Sequence, residues 1–180
     1  MTERWARRGF MIGALFAALA GCGGAKEAEM TGFMLRSTAF GDGDPIPREH
    51  SCDGANKSPP LGWSDAPAGT KSFALVVDDP DAPGGTFRHW GAWNIPANSH
   101  SIESGQGGQF PEAVNDFGKE GYGGACPPRG HGPHRYRFKL FALDTEKLDL
   151  PPGAKVEQVE KAAAEHLLGK AELTGTFERK

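Results

Sequence analysis

Two stretches of the chain concentrate side chains that could do chemistry. One, VDDPDAPGGTFRHWGAWN over residues 77–94, carries Asp79, Asp81 and His89; the other, CPPRGHGPHRY over 126–136, carries Cys126, His131, His134 and Tyr136. A carboxylate that accepts a hydrogen bond from one imidazole nitrogen fixes the tautomer and favours the charged ring, so the other nitrogen can donate to an oxyanion. The surrounding residues restrict the backbone. Pro80 holds Asp79 out of the helical region, and Pro83 followed by Gly84 and Gly85 forces a reversal. Pro127 and Pro128 stiffen the second stretch, where Gly130 and Gly132 let backbone N–H groups approach whatever lies between His131 and His134. Two such pieces together describe one small, rigid, polar pocket suited to a phosphate or carboxylate.

Each residue also has a structural reading. Asp79 and Asp81 can cap their Pro-rich turn through its backbone, and a histidine alone on an apolar run, as His89 is, can be a satisfied core residue. Arg135 is expected to pair with Asp79 or Asp81 and so hold the two stretches together. His131 can be an exposed loop residue. The chain has neither a helical His-x-x-x-His pair nor a Cys-x-x-Cys pair, so no metal and no cofactor are expected. Nucleophilic catalysis would fall to Cys126, the one candidate close to a histidine base, and Cys52 competes for that thiol.

The elements that must position these groups are short strands. Twenty-six glycines, about twice the usual share, and 14 prolines leave little room for long helices. Phe33 and Leu35 open an alternating strand, residues 72–77 form an apolar run fit for a buried one, and Trp90 leads the next. Over 135–142, Tyr136, Phe138, Leu140 and Ala142 point one way and Arg135, Arg137 and Lys139 the other, which predicts one core face and one wet face. The one helix predicted spans 155–168 and is closed by Gly169, with a strand from Ala171 to follow. Residues 97–124, rich in glycine, read as a loop forming a pocket rim or a surface excursion. The fold class expected is all-β with minor α: a Greek-key antiparallel β-sandwich with a peripheral helix near the end.

The chain starts with Arg4, Arg7 and Arg8 before an apolar run over 11–20, too short to span a bilayer, as in a secretory signal. Leu19-Ala20-Gly21-Cys22 resembles a bacterial lipoprotein box, and Arg7-Arg8-Gly9-Phe10-Met11 also resembles a twin-arginine export signal. Residues 1–21 are thus read as a signal peptide, 22–31 as a tether acylated at Cys22, and 32–180 as the folded domain. With Cys22 acylated and the chain exported, the two remaining cysteines, Cys52 and Cys126, are expected to pair. A net charge of -3 gives no reason to expect nucleic acid.

The order of motifs resembles the phosphatidylethanolamine-binding protein family, in its bacterial Raf kinase inhibitor-like branch. Its signature pieces stand here as Asp79-Pro80-Asp81-Ala82-Pro83, His89, and Gly132-Pro133-His134-Arg135, with Cys52-Asp53-Gly54, Ser58-Pro59-Pro60-Leu61 and the run from Asn115 to Lys119 as further matches. The resemblance covers residues 33–177. It implies a ligand pocket for phosphorylethanolamine-like head groups and other small anions, formed by Asp79, Asp81, His89 and His134, with Pro127 in its wall and Tyr136 near its mouth. No enzymatic activity is expected.

The function expected is a membrane-tethered, extracytoplasmic binding protein, exported and held at the cell membrane or outer membrane by its lipid, facing the periplasm or exterior. Its partners would be a small anionic ligand, the membrane through the anchor, and a protein target in one alternative. In that alternative the chain inhibits a protease or other enzyme through its exposed loops. A hydrolase using Cys126 or the histidines is a third reading.

Overall fold

The computed structural model describes Met1 and residues 32–180. The expected signal peptide, acylation site at Cys22 and tether to residue 31 lie outside the described residues. No helix among those described is long and apolar enough to cross a membrane.

Among the described residues seven strands form two antiparallel sheets. The first contains β1 (Met34–Arg36), β2 (Leu61–Ser64) and β5 (Ser101–Ile102) in the order β1-β2-β5. The second contains β3 (Ser72–Asp79), β4 (Phe87–Pro96), β6 (His134–Leu143) and β7 (Leu167–Phe177) in the order β4-β3-β6-β7. The pairing of β3 with β6 marks the long return connection expected of a Greek-key sandwich. Among the described residues a single α-helix, α1 (Val156–Glu165), packs on the larger sheet.

The expected β-sandwich with a peripheral helix is present, and the helix adds a second core outside the sandwich. Between the sheets lies one core, with Leu35, Trp63, Phe73, Leu75, Trp90, Phe138 and Leu140 among its members. A second core, including Ala74, Val76, Trp93, Phe141, Leu143, Val156 and Val159, fills the space between the larger sheet and α1. Strand β3 is therefore buried along its whole length, which explains its unbroken apolar run. The outer face of β6 is wet only at its start. Arg135 is exposed and Arg137 half-buried, but Lys139 is buried with its ammonium between Asp78 and Glu160. Alternating charge there signals buried ion pairs, not the wet face expected.

The helix is also shorter than predicted. It ends at Glu165, and β7 begins at Leu167, so Gly169 is not a stop but a strand residue paired with Ala142. Cross-strand pairing along the ten residues of β6 outweighs the last, exposed three residues of the predicted helix.

Candidate functional site

Asp79 ends β3, His89 lies near the start of β4 and His134 begins β6. Because β3 is central, with β4 and β6 on either side, all three reach the same end of the larger sheet. They line a cavity of about 190 Å3 with Pro83, Phe87, Phe117, Cys126, Pro127 and Pro128. That volume is below the range of drug-sized pockets and suits a small ligand.

The two histidines are held in the same way. His134 Nδ1 lies 2.7 Å from Asp79 Oδ2, with both residues buried, so the carboxylate fixes Nδ1 as the donor. His89 Nδ1 lies 2.8 Å from the Gly123 carbonyl, which can only accept, so it too carries its proton on Nδ1. Burial pushes the His89 imidazole below its ordinary value, against the Gly123 carbonyl and the Asp79 charge, which act the other way. The ring is clamped edge-on by Phe117 at 5.4 Å and Tyr136 at 5.1 Å between centroids. Asp79 also performs the capping role read from its turn, accepting from the Asp81 N–H at 2.8 Å through its second oxygen.

Tyr136 is two residues beyond His134 and so faces inward from the same side of β6. It is 2 % exposed and stands beneath the histidines, not at the mouth as the resemblance implied. Its hydroxyl is buried beside the Asp79 carboxylate and the Cys126 backbone, with neither at good hydrogen-bond geometry. Burial, reinforced by the Asp79 charge, pushes its pKa up, so it remains a donor. It packs against the His89 ring and does not itself line the cavity.

Asp81 does not join this set. Its carboxylate takes a bidentate grip from Arg135, Nη2 to Oδ1 at 2.6 Å and Nε to Oδ2 at 2.9 Å, and the Arg135 N–H adds a third bond. That pair ties the two motif stretches together and faces away from the cavity lining. The Gly130 N–H is likewise unavailable, since it donates to the Arg179 carbonyl at 3.0 Å. His131, left open by sequence, stands with Nδ1 at 3.0 Å from His134 Nε2 and extends the Asp79–His134 pair toward solvent.

Cys52 and Cys126 are joined in a disulfide with Cα atoms 5.4 Å apart, so neither offers a thiolate for catalysis. The bond pins the segment that supplies Pro127 and Pro128 to the loop after the 3₁₀ turn at Arg48–His50. Asp53 in that loop is bound by Arg179, Nη2 at 2.9 Å, and supports the wall from outside. Phe117 and Gly123 were the contributions sequence could not specify. Both lie in the glycine-rich 97–124 stretch, where no periodicity marks which residue turns inward. No cluster of three metal-ligating side chains occurs among the described residues.

A larger cleft of about 530 Å3, between Trp93, Pro111, Glu112 and the 147–153 segment, contains no imidazole. Its Glu112 is already bound by Trp90 Nε1 at 2.6 Å. The smaller cavity, where Asp79 and two oriented histidines converge, is the stronger functional site.

The family model described as phosphatidylethanolamine-binding protein matches residues 36–178. The chain belongs to the phosphatidylethanolamine-binding protein family. A UPF0098 protein of Aquifex aeolicus is 47% identical over 152 residues, covering 79% of this chain and 86% of that protein. LppC of Mycobacterium tuberculosis, whose name marks it as a candidate lipoprotein, is 49% identical over 145 residues, covering 80% of this chain and 71% of its own. The crystal structure of Escherichia coli YbcL, described as a new member of the mammalian PEBP family, superposes with a TM-score of 0.79 at 38% identity. That match covers 82% of this chain and 99% of YbcL. The motif order read from sequence and the two-sheet fold thus agree with membership in this family.

Proposed function

We propose that this family member is a membrane-tethered, extracytoplasmic binding protein whose cavity at Asp79, His89 and His134 takes a small phosphorylated or other anionic head group. It acts by binding, not by catalysis. The observation that carries this reading is the convergence on one small cavity of two histidines, each with Nδ1 committed to a fixed acceptor. Tethering is supported by the Leu19-Ala20-Gly21-Cys22 box and by the lipoprotein designation of LppC. An anchor of several acyl chains on one cysteine would hold the domain at a membrane surface.

Calorimetric titration with phosphorylethanolamine tests the pocket. Wild type is expected to release or absorb heat with one-site stoichiometry, and His134→Ala to lose at least tenfold in affinity, the loss of a charge-assisted hydrogen bond at a buried site. Equal binding by wild type and His134→Ala would place the ligand elsewhere and overturn the reading.

A further inference from the structure

The end of the domain where the chain enters it lies far from the cavity and has a surface of its own. Gly32 lies against Asp65, and Phe33 stacks on Phe73 near the start of β3. Leu168 lies over Gly69, so the chain entry and Leu168 share the 65–71 connection between β2 and β3. Among the described residues from 32 to 180, four large apolar side chains are exposed, and three of them, Met34 at 40 %, Leu167 at 46 % and Leu168 at 40 %, sit at this end. Met34 pairs with Ser64 just before the connection, and Leu167 pairs with Leu143, itself the partner of Ser72 just after it. The two leucines are exposed for a backbone reason. Ala142 pairs with Gly169 and Leu143 with Leu167, so Leu168 has no opposite residue. Regular alternation would send successive side chains to opposite faces of the sheet, and a bulge re-aims them.

We propose that this end is a membrane-contact face: with Cys22 acylated, Met34, Leu167 and Leu168 rest on the bilayer surface that holds the anchor, and the Asp79 end of the larger sheet points away from it. This face presupposes the tethered reading proposed above and adds an orientation to it. Ten residues, 22–31, run from the acylation site to Gly32, a length that reaches at most about 35 Å. The eight residues of β3 span about 23 Å from this end to Asp79, so presenting the opposite end to the lipid would require the tether to run back along most of the domain. Charge is balanced here, with Lys170 paired to Glu172 at 3.1 Å, His166 to Asp144 at 3.0 Å, and Lys71 and Asp65 both exposed. Apolar contact therefore carries the association, and three side chains suffice because the anchor makes the contact intramolecular.

The test uses the full chain purified with its anchor and placed in phosphatidylethanolamine–phosphatidylglycerol nanodiscs in which some lipids carry a nitroxide on the head group. Amide signals of residues 65–71 and of Leu167 and Leu168 are expected to lose intensity to the spin label, while those of Asp79, His89 and His134 keep it. Leu167→Ser/Leu168→Ser, a change at exposed positions, should abolish that loss and leave titration with phosphorylethanolamine as in wild type. High salt should leave the pattern unchanged, since ionic contacts do not carry it. Broadening centred on Phe117 and the Asp79 end, broadening that survives the double variant or disappears in salt, or none anywhere would overturn the inference and leave the tether standing. Mass spectrometry of the mature chain showing Cys22 without an acyl group would overturn the tethered reading and this face with it.

Discussion

At the residue scale, the two aspartates of one motif do different work, and the cause is geometric. Asp79 is buried and spends its oxygens on His134 and the turn, whereas Asp81 sits nearer the surface under the Arg135 guanidinium. That guanidinium holds the Asp81 carboxyl down to about 2. A carboxyl depressed on folding contributes stability that is fully present above its unfolded value of about 4 and is lost as pH falls toward 2. Asp81→Asn is therefore expected to lower stability by about 1 kcal/mol or less at pH 6, with the gap from wild type closing by pH 2 in thermal unfolding. A gap unchanged between those pH values would contradict the pairing. Sequence left Arg135 to choose between Asp79 and Asp81, because both lie in one turn and only the direction of each side chain separates them. Tyr136 was misplaced for a similar reason: spacing gives the side of the strand but not the depth of the pocket.

At the element scale, the charged residues of β6 explain how a helix can cover a sheet face that carries lysine and arginine. Asp78, 1 % exposed, accepts from Arg137 Nε at 2.8 Å and from Lys139 Nζ at 2.7 Å. Burial pushes its carboxyl up, but the two cations outweigh this and hold it below the ordinary range. Asp78→Ala would leave the Lys139 ammonium buried with Glu160 as its remaining partner, and a cost of about 3–5 kcal/mol is expected from denaturant unfolding. A loss below about 1 kcal/mol would show that the pair is solvated. The strands themselves were legible, since β3 reads as a buried run and β6 as strict alternation. The second core was not, because alternation with charged residues has the same pattern whether the far face meets water or a helix bearing Glu160. The helix end was missed because Gly169 is as compatible with a strand as with a stop.

At the scale of the whole molecule, one covalent link and one sheet order join the cavity walls. The disulfide closes a loop with a sequence separation of 74, for which the chain-entropy model gives about 4 kcal/mol of stabilisation. A Cys52→Ser/Cys126→Ser double variant is expected to lose about 2–5 kcal/mol in unfolding and to bind ligand more weakly, since Pro127 and Pro128 lose their attachment. Unchanged binding would show that the prolines hold their wall unaided. The family and the two-sheet architecture could be read from motif order, while the pairing of Asp79 with His134 emerged only once the strands were placed side by side. The most direct measurement of the central claim is 15N–1H chemical-shift mapping of the protein titrated with phosphorylethanolamine. Saturable shifts concentrated at Asp79, His89, Gly123, Cys126 and His134 are predicted. Shifts concentrated instead around Trp93, Glu112 and Leu148, or none at millimolar ligand, would contradict the account.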